Sequence, residues 1–202
     1  MITNKRPFDP QPTVLTGRQT RLEPLTHTHA DDLLAIGRDP SIWQYMPSSP
    51  FADVEAVKTW IDAALAEHRA GSQVPFAIIR LSDDRAVGST RFLSIRREHR
   101  GLEIGWTWLA TDAQRTPINT ESKLLLLTHA FEKLGAMRVE FKTDLRNEKS
   151  QRALERIGAA REGVFRRHMI LWDGHIRDSV YYSITDTDWP EIKAQLTRKI
   201  PH

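Results

Sequence analysis

LEIGWTWLATDAQRTPINTESK, residues Leu102 to Lys123, is the stretch on which the fold of this chain turns. Along an extended strand, successive side chains point to opposite faces. The even positions, Leu102, Ile104, Trp106 and Trp108, form an apolar face. The odd positions, Glu103, Gly105, Thr107 and Leu109, set a carboxylate beside a residue with no side chain. A face of that kind lets a ligand lie against the backbone, although a strand with one core face and one part-solvated face reads the same way. The second half of the stretch adds a helix start. Thr116 suits the N-cap and Pro117 the first helical position, where its missing N–H costs nothing. The amides of Ile118, Asn119 and Thr120 then open a helix, and such an end binds phosphate through free donors and the positive pole of the helix dipole. Gln114 and Arg115, just upstream, can hydrogen-bond or neutralise the same anion.

Outward from this stretch, the pattern alternates between strand and helix. Upstream, Phe76–Leu81 and Ala86–Arg96 read as strands, preceded by a helix capped by Asp53 with Val57, Ile61, Ala64 and His68 at helical spacing and Gly71 as its stop. Before it lie a Pro- and Ser-rich loop at 43–51, a short helix from His29 to Arg38, and a first strand from Thr20 to Leu25. Downstream, Pro117–Leu134 reads as a helix ended by Gly135, Met137–Thr143 as a strand, and Glu148–Ile157 as a helix closed by Gly158. Val164–Leu171 and Ile176–Ile184 flank Asp173-Gly174, a strong hairpin signal, and a helix from Trp189 ends the chain. The order predicts an α/β fold: a mixed, mostly antiparallel twisted sheet with helices on both faces. Residues 1–13, interrupted by Pro7, Pro10 and Pro12, read as a flexible arm, and 14–202 as a single domain.

Composition narrows the chemistry. The chain has 202 residues, enough for a full core without disulfide or metal support. No cysteine is present, which removes a disulfide framework, a zinc ribbon and a thiol nucleophile, and agrees with a reducing, cytoplasmic setting. A net charge of +3 suits a polyphosphate ligand and is too weak to argue nucleic-acid binding. No apolar run is long enough to span a membrane. His27 with His29, and His168 with His175, lack the further ligands that a metal site needs, so no metal is expected.

Glu103, the loop Gln114 to Asn119, and Asn147-Glu148-Lys149-Ser150 together resemble the GNAT superfamily of N-acyltransferases. The segments INTESK, HAFEKLGA and VEFKTDLRN and the Asp-Gly hairpin look like its RimJ/RimL-type branch. The resemblance runs from about Thr20 to Trp189. It implies an N-acetyltransferase that moves an acetyl group from acetyl-CoA directly to a primary amine in a ternary complex. The amine would be a peptide or protein N-terminus or a small molecule. In that superfamily a Gln/Arg-x-x-Gly-x-Gly/Ala loop holds the pyrophosphate, and here Pro117 and Asn119 stand in place of both glycines. The resemblance implies cofactor contacts at Trp108, Leu109, Ala110, Gln114, Arg115, Thr116, Ile118, Asn119, Thr120, Asn147 and Ser150. Glu103 corresponds to a general-base glutamate, with an electrostatic or structural role as its other reading. The tyrosine that often protonates the departing thiolate is replaced by Leu154, which makes Ser150 the substitute, or else a helix-start serine. Trp43, Tyr45 and Met46 would frame the acceptor. The rival expectation is an inactive acyl-CoA sensor or interaction module; a homodimer stays open.

Overall fold

The computed structural model describes residues 7–200. Its strands are Leu15–Thr16 (β1), Thr20–Pro24 (β2), Val74–Arg80 (β3), Arg85–Arg96 (β4), Gly101–Leu109 (β5), Arg138–Asp144 (β6), Ala160–Ile170 (β7) and Ile176–Thr185 (β8). They form one sheet in the order β1-β2-β3-β4-β5-β6-β8-β7. Every neighbouring pair is antiparallel except β5 and β6. The helices are Ala30–Gly37 (α1), Val54–Arg69 (α2), Pro117–Thr128 (α3), Glu148–Arg156 (α4) and Trp189–Lys199 (α5). This is the mixed sheet that the alternation of strand and helix patterns predicts.

The sheet separates two cores. Leu22, Phe76, Phe92, Leu102 and Val139 face Leu126 and Leu127 of α3 and Ile192 and Leu196 of α5. On the other face, Ala77, Ile79 and Trp108 pack against Leu33 of α1 and Val57, Trp60 and Ile61 of α2. Helix α2 starts where Asp53 accepts a hydrogen bond from the Ala56 amide at 2.9 Å. Of the expected N-terminal arm, residues 1–6 lie outside the described residues. Phe8, by contrast, is buried in the larger core, with the Arg100 guanidinium 5.6 Å from its ring centroid.

Two local departures shape the site. The first is a bulge in β5. Ser89 pairs with Trp108 and Arg91 with Gly105, so two β5 residues, Trp106 and Thr107, oppose the single β4 residue Thr90. Trp106 takes a left-handed φ of 50° there. The bulge reverses the parity of the strand, so the expected apolar face of four even residues does not exist. Leu102 and Ile104 face the α3 side, and beyond the bulge Leu109 does, while Trp108 joins the α2 side. Trp106 is half-buried and stacks on Arg91, whose guanidinium lies 4.5 Å from its ring and 4.8 Å from that of Trp60. The second departure is at the end of α3, expected to run to Leu134. The α-helix stops at Thr128, and His129–Leu134 continues as a π-helical segment that Gly135 ends at φ 71°.

Helix α3 is tied to the opposite end of the sheet by Glu121. Its carboxylate accepts from the amides of Arg18 and Gln19 at 2.7 Å and of Thr20 at 2.9 Å, closing the β1–β2 turn. A side chain at Gly17 would meet that carboxylate at 2.4 Å, which is why glycine occupies the turn.

Candidate active site

Strands β5 and β6 run parallel for only three pairs, Gly101 with Arg138, Leu102 with Val139 and Glu103 with Glu140. Beyond Glu103, β5 follows β4 and β6 follows β8, and the sheet splits. The split opens a cleft of about 470 Å³ bounded by β5, β6, the starts of α3 and α4, and the 41–47 loop.

Glu103 sits at the apex of the split and is 3% exposed. Lys142 of β6 donates to it at 2.9 Å. Burial pushes its carboxyl above the ordinary carboxylate range, against the opposite pull of Lys142. Gly105 makes room for it, since a Cβ there would lie 2.7 Å from Glu103 Oε1. The carboxylate is therefore seated by its own strand.

The start of α3 forms one wall. Thr116 caps it, accepting from the Ile118 amide at 3.3 Å and donating to the Ala113 carbonyl at 2.7 Å. Of the three amides expected to be free, that of Ile118 is thus engaged. In the α-helical pattern the Thr120 amide belongs to the Thr116 carbonyl. Asn119 remains, and its residue lines the cleft. Ile118 itself is a core side chain. Gln114 lines the cleft, donating to the Leu109 carbonyl at 2.9 Å and accepting from Lys149. Arg115 is exposed, at a left-handed φ of 62°. Ala110, Arg115, Thr116, Ile118 and Thr120 are absent from the cleft lining, whereas Trp108, Leu109 and Asn119 belong to it.

Helix α4 forms the facing wall. Asn147 caps it by accepting from the Ser150 amide at 3.0 Å. The Ser150 hydroxyl has no hydrogen-bond partner among the described residues and belongs to the cleft lining, next to Leu154. Of the three residues expected to frame an acceptor, Tyr45 and Met46 belong to the cleft lining on the far side and Trp43 does not. Trp43 is fully buried, donates to the Gly37 carbonyl at 2.8 Å, and packs 5.1 Å from Trp108 and 4.9 Å from Phe51. Its backbone still helps fix the loop, because Trp172 Nε1 donates to the Trp43 carbonyl at 3.2 Å.

Four basic residues of the cleft were not among the candidate site residues: Lys123, Lys142, Lys149 and Arg177. Arg177, buried on β8, donates to Ser179 Oγ at 2.9 Å and to the Tyr45 carbonyl at 3.3 Å. Nothing in a linear pattern marks them, since a charge on a strand or helix reads as solvated until the fold turns it inward. The cleft lining thus carries four basic side chains against the single carboxylate of Glu103, and the charge of Lys142, Lys149 and Arg177 favours a polyanionic ligand.

Residues 19–160 match the model of the acetyltransferase (GNAT) domain. The chain belongs to the GNAT family of acetyltransferases. This acetyltransferase is similar to the uncharacterized N-acetyltransferase p20 of Bacillus licheniformis, 28% identical over 152 residues that cover 75% of this chain and 82% of that one. A solved acetyltransferase of T. thermophilus is 40% identical, with a TM-score of 0.87 over 95% of this chain and 99% of that one. RimJ of Mycobacterium smegmatis, solved with CoA-disulfide, shares the fold at a TM-score of 0.82 and 22% identity, over 93% and 95% of the two chains. This GNAT acetyltransferase is an N-acetyltransferase with RimJ/RimL-like structural neighbours. None of its helices is long and apolar enough to cross a membrane, among the described residues.

Proposed function

We propose that this N-acetyltransferase carries an acetyl group from acetyl-CoA directly to a primary amine, either a peptide or protein N-terminus or a small-molecule amine. The observation that carries this reading is the split between β5 and β6, which ends on a buried carboxylate and opens on a helix N-terminus. The diphosphate of the coenzyme would meet Asn119, with Gln114, Arg115 and Lys149 close to that end. The thioester arm would run along Thr107 to Leu109, towards the bulge.

An alkylamine is mostly protonated at neutral pH and attacks only as the free base. Glu103, held above its ordinary range, takes that proton directly or through one water. The amine nitrogen then bonds to the thioester carbonyl carbon. Backbone N–H groups at the irregular part of β5 stabilise the negative charge that builds on oxygen. When the C–S bond breaks, the thiolate leaves with the electron pair, and a water proton relayed by the Ser150 hydroxyl completes the thiol. Leu154 cannot relay one. With no cysteine in the chain, the transfer needs no thioester intermediate on the protein.

The test is calorimetry with acetyl-CoA beside a thiol-release assay over a panel of amines and peptides. Binding with turnover supports the reading. Binding without turnover of any acceptor supports an acyl-CoA sensor, and no binding at millimolar acetyl-CoA overturns both.

A further inference from the structure

Lys123 occupies an unusual position for a lysine. It is 5% exposed, yet it lines the cleft from the second turn of α3. Its Nζ makes one hydrogen bond, to Thr107 Oγ1 at 2.7 Å, and Thr107 Oγ1 lies 2.8 Å from Thr90 Oγ1. An ammonium has three donors, and two of these find no partner among the described residues. The acids nearby on the packed elements are occupied. Glu121, on the same helix, is spent on the amides of residues 18–20, and Glu103 on β5 is held by Lys142 of β6. The groups that β4 and β5 turn towards Nζ, Thr90 and Thr107, are neutral hydroxyls. Burial alone therefore pushes this amine down to about 7, so that a large share of it is neutral at physiological pH.

The position matters as much as the protonation. Lys123 follows Asn119 by four residues, so the two share one face of α3, and both line the cleft. Lys123 is one turn along α3 from the helix end. Its anchor, Thr107, belongs to the β5 segment along which that arm is proposed to run. A neutral amine that donates to Thr107 keeps its lone pair off that bond.

We infer that Lys123 is itself an acetyl acceptor, a self-acetylation site within the cleft whose substrate is the bound acetyl thioester. This inference rests on the acetyl-CoA reading above. The neutral Nζ attacks the thioester carbonyl carbon, a C–N bond forms, the C–S bond breaks, and the proton lost by nitrogen ends on the CoA thiolate. No oxidant, metal or further reactant is needed. The product is an amide, stable towards amines, so the modification is an end state and not a relay to the acceptor. An acetylated Lys123 is longer and permanently neutral, and it narrows the path of the thioester arm. Self-acetylation would thus tie the enzyme's capacity to the supply of acetyl-CoA when no acceptor is present.

The experiment incubates the full chain with acetyl-CoA and no acceptor, then maps acetylated peptides by mass spectrometry, with calorimetry on the same sample. The expected result is one acetyl group on Lys123, formed at a rate that saturates with acetyl-CoA, rises several-fold from pH 6 to pH 8 and is suppressed by excess CoA. Lys123→Arg should gain no acetyl group at position 123 and no saturable labelling elsewhere. Acetyl-CoA binding with an unmodified Lys123, or labelling confined to exposed lysines without saturation, overturns the inference and leaves the proposed function standing. No binding overturns both.

Discussion

Glu103 and Lys123 are both buried beside one cleft, and their environments push them in opposite senses. Glu103 is displaced upward by burial, so it must lose its proton at a higher pH than an ordinary carboxylate before it can act as a base. Turnover should therefore fall as pH drops through that raised value. Glu103→Gln should remove this acidic limb and lower kcat by about 100-fold or more, with acetyl-CoA affinity within about twofold. A pH–rate profile that survives the substitution would take Glu103 out of the reaction. Lys123 is displaced downward, from 10.5 to about 7. A depressed value means stability that is present above 10.5 and lost as pH falls through about 7. Lys123→Met should therefore stabilise the ligand-free protein most below pH 7, with an advantage that fades towards pH 10.5. The interval from 10.5 to about 7 sets an upper figure of roughly 5 kcal/mol. Urea midpoints at pH 6 and pH 10 check it; equal gains at both would show that Lys123 is not charged against its surroundings.

At the scale of elements, the start of α3 departs most from what a phosphate-binding loop uses. Pro117 has no N–H, and the Ile118 amide is taken by Thr116, which leaves the helix end poor in donors. Pro117→Gly restores one donor at the first helical position. It should tighten acetyl-CoA about three- to tenfold, at a stability cost of up to about 1 kcal/mol from the looser unfolded chain. Calorimetry reads the change, and an unaltered Kd would place the diphosphate elsewhere. The bulge in β5 is the other decisive element. It costs a left-handed tryptophan, offset by the stacking of Trp106 on Arg91. In return it puts Thr107 on the side of α3, where Lys123 reaches it.

For the molecule as a whole, the charge of the cleft matters more than the net charge of the chain. A chain with a formal charge of only +3 gathers the cations Lys142, Lys149 and Arg177 around one opening. Acetyl-CoA affinity should weaken by about tenfold between 50 and 500 mM NaCl, as the screening length falls from roughly 14 Å to 4 Å. A salt-independent Kd would mean that these cations do not meet the phosphates.

The order of elements, the hairpin at Asp173-Gly174 and the cap at Thr116 were legible in the residues, because periodicity, turn chemistry and capping are local and act within a few positions; the candidacy of Glu103 came from the resemblance to the GNAT superfamily. The parity of β5 was not, since a bulge depends on the partner strand, and so Trp106 and Trp108 could not be assigned their faces. Trp43 read as a pocket residue because an aromatic in a loop gives no sign of burial; only packing against Phe51 and Trp108 decided it. The cationic lining was likewise invisible. Whether a lysine is solvated or shut inside a cleft depends on residues far away in the chain, and that is settled when strands and helices close over it.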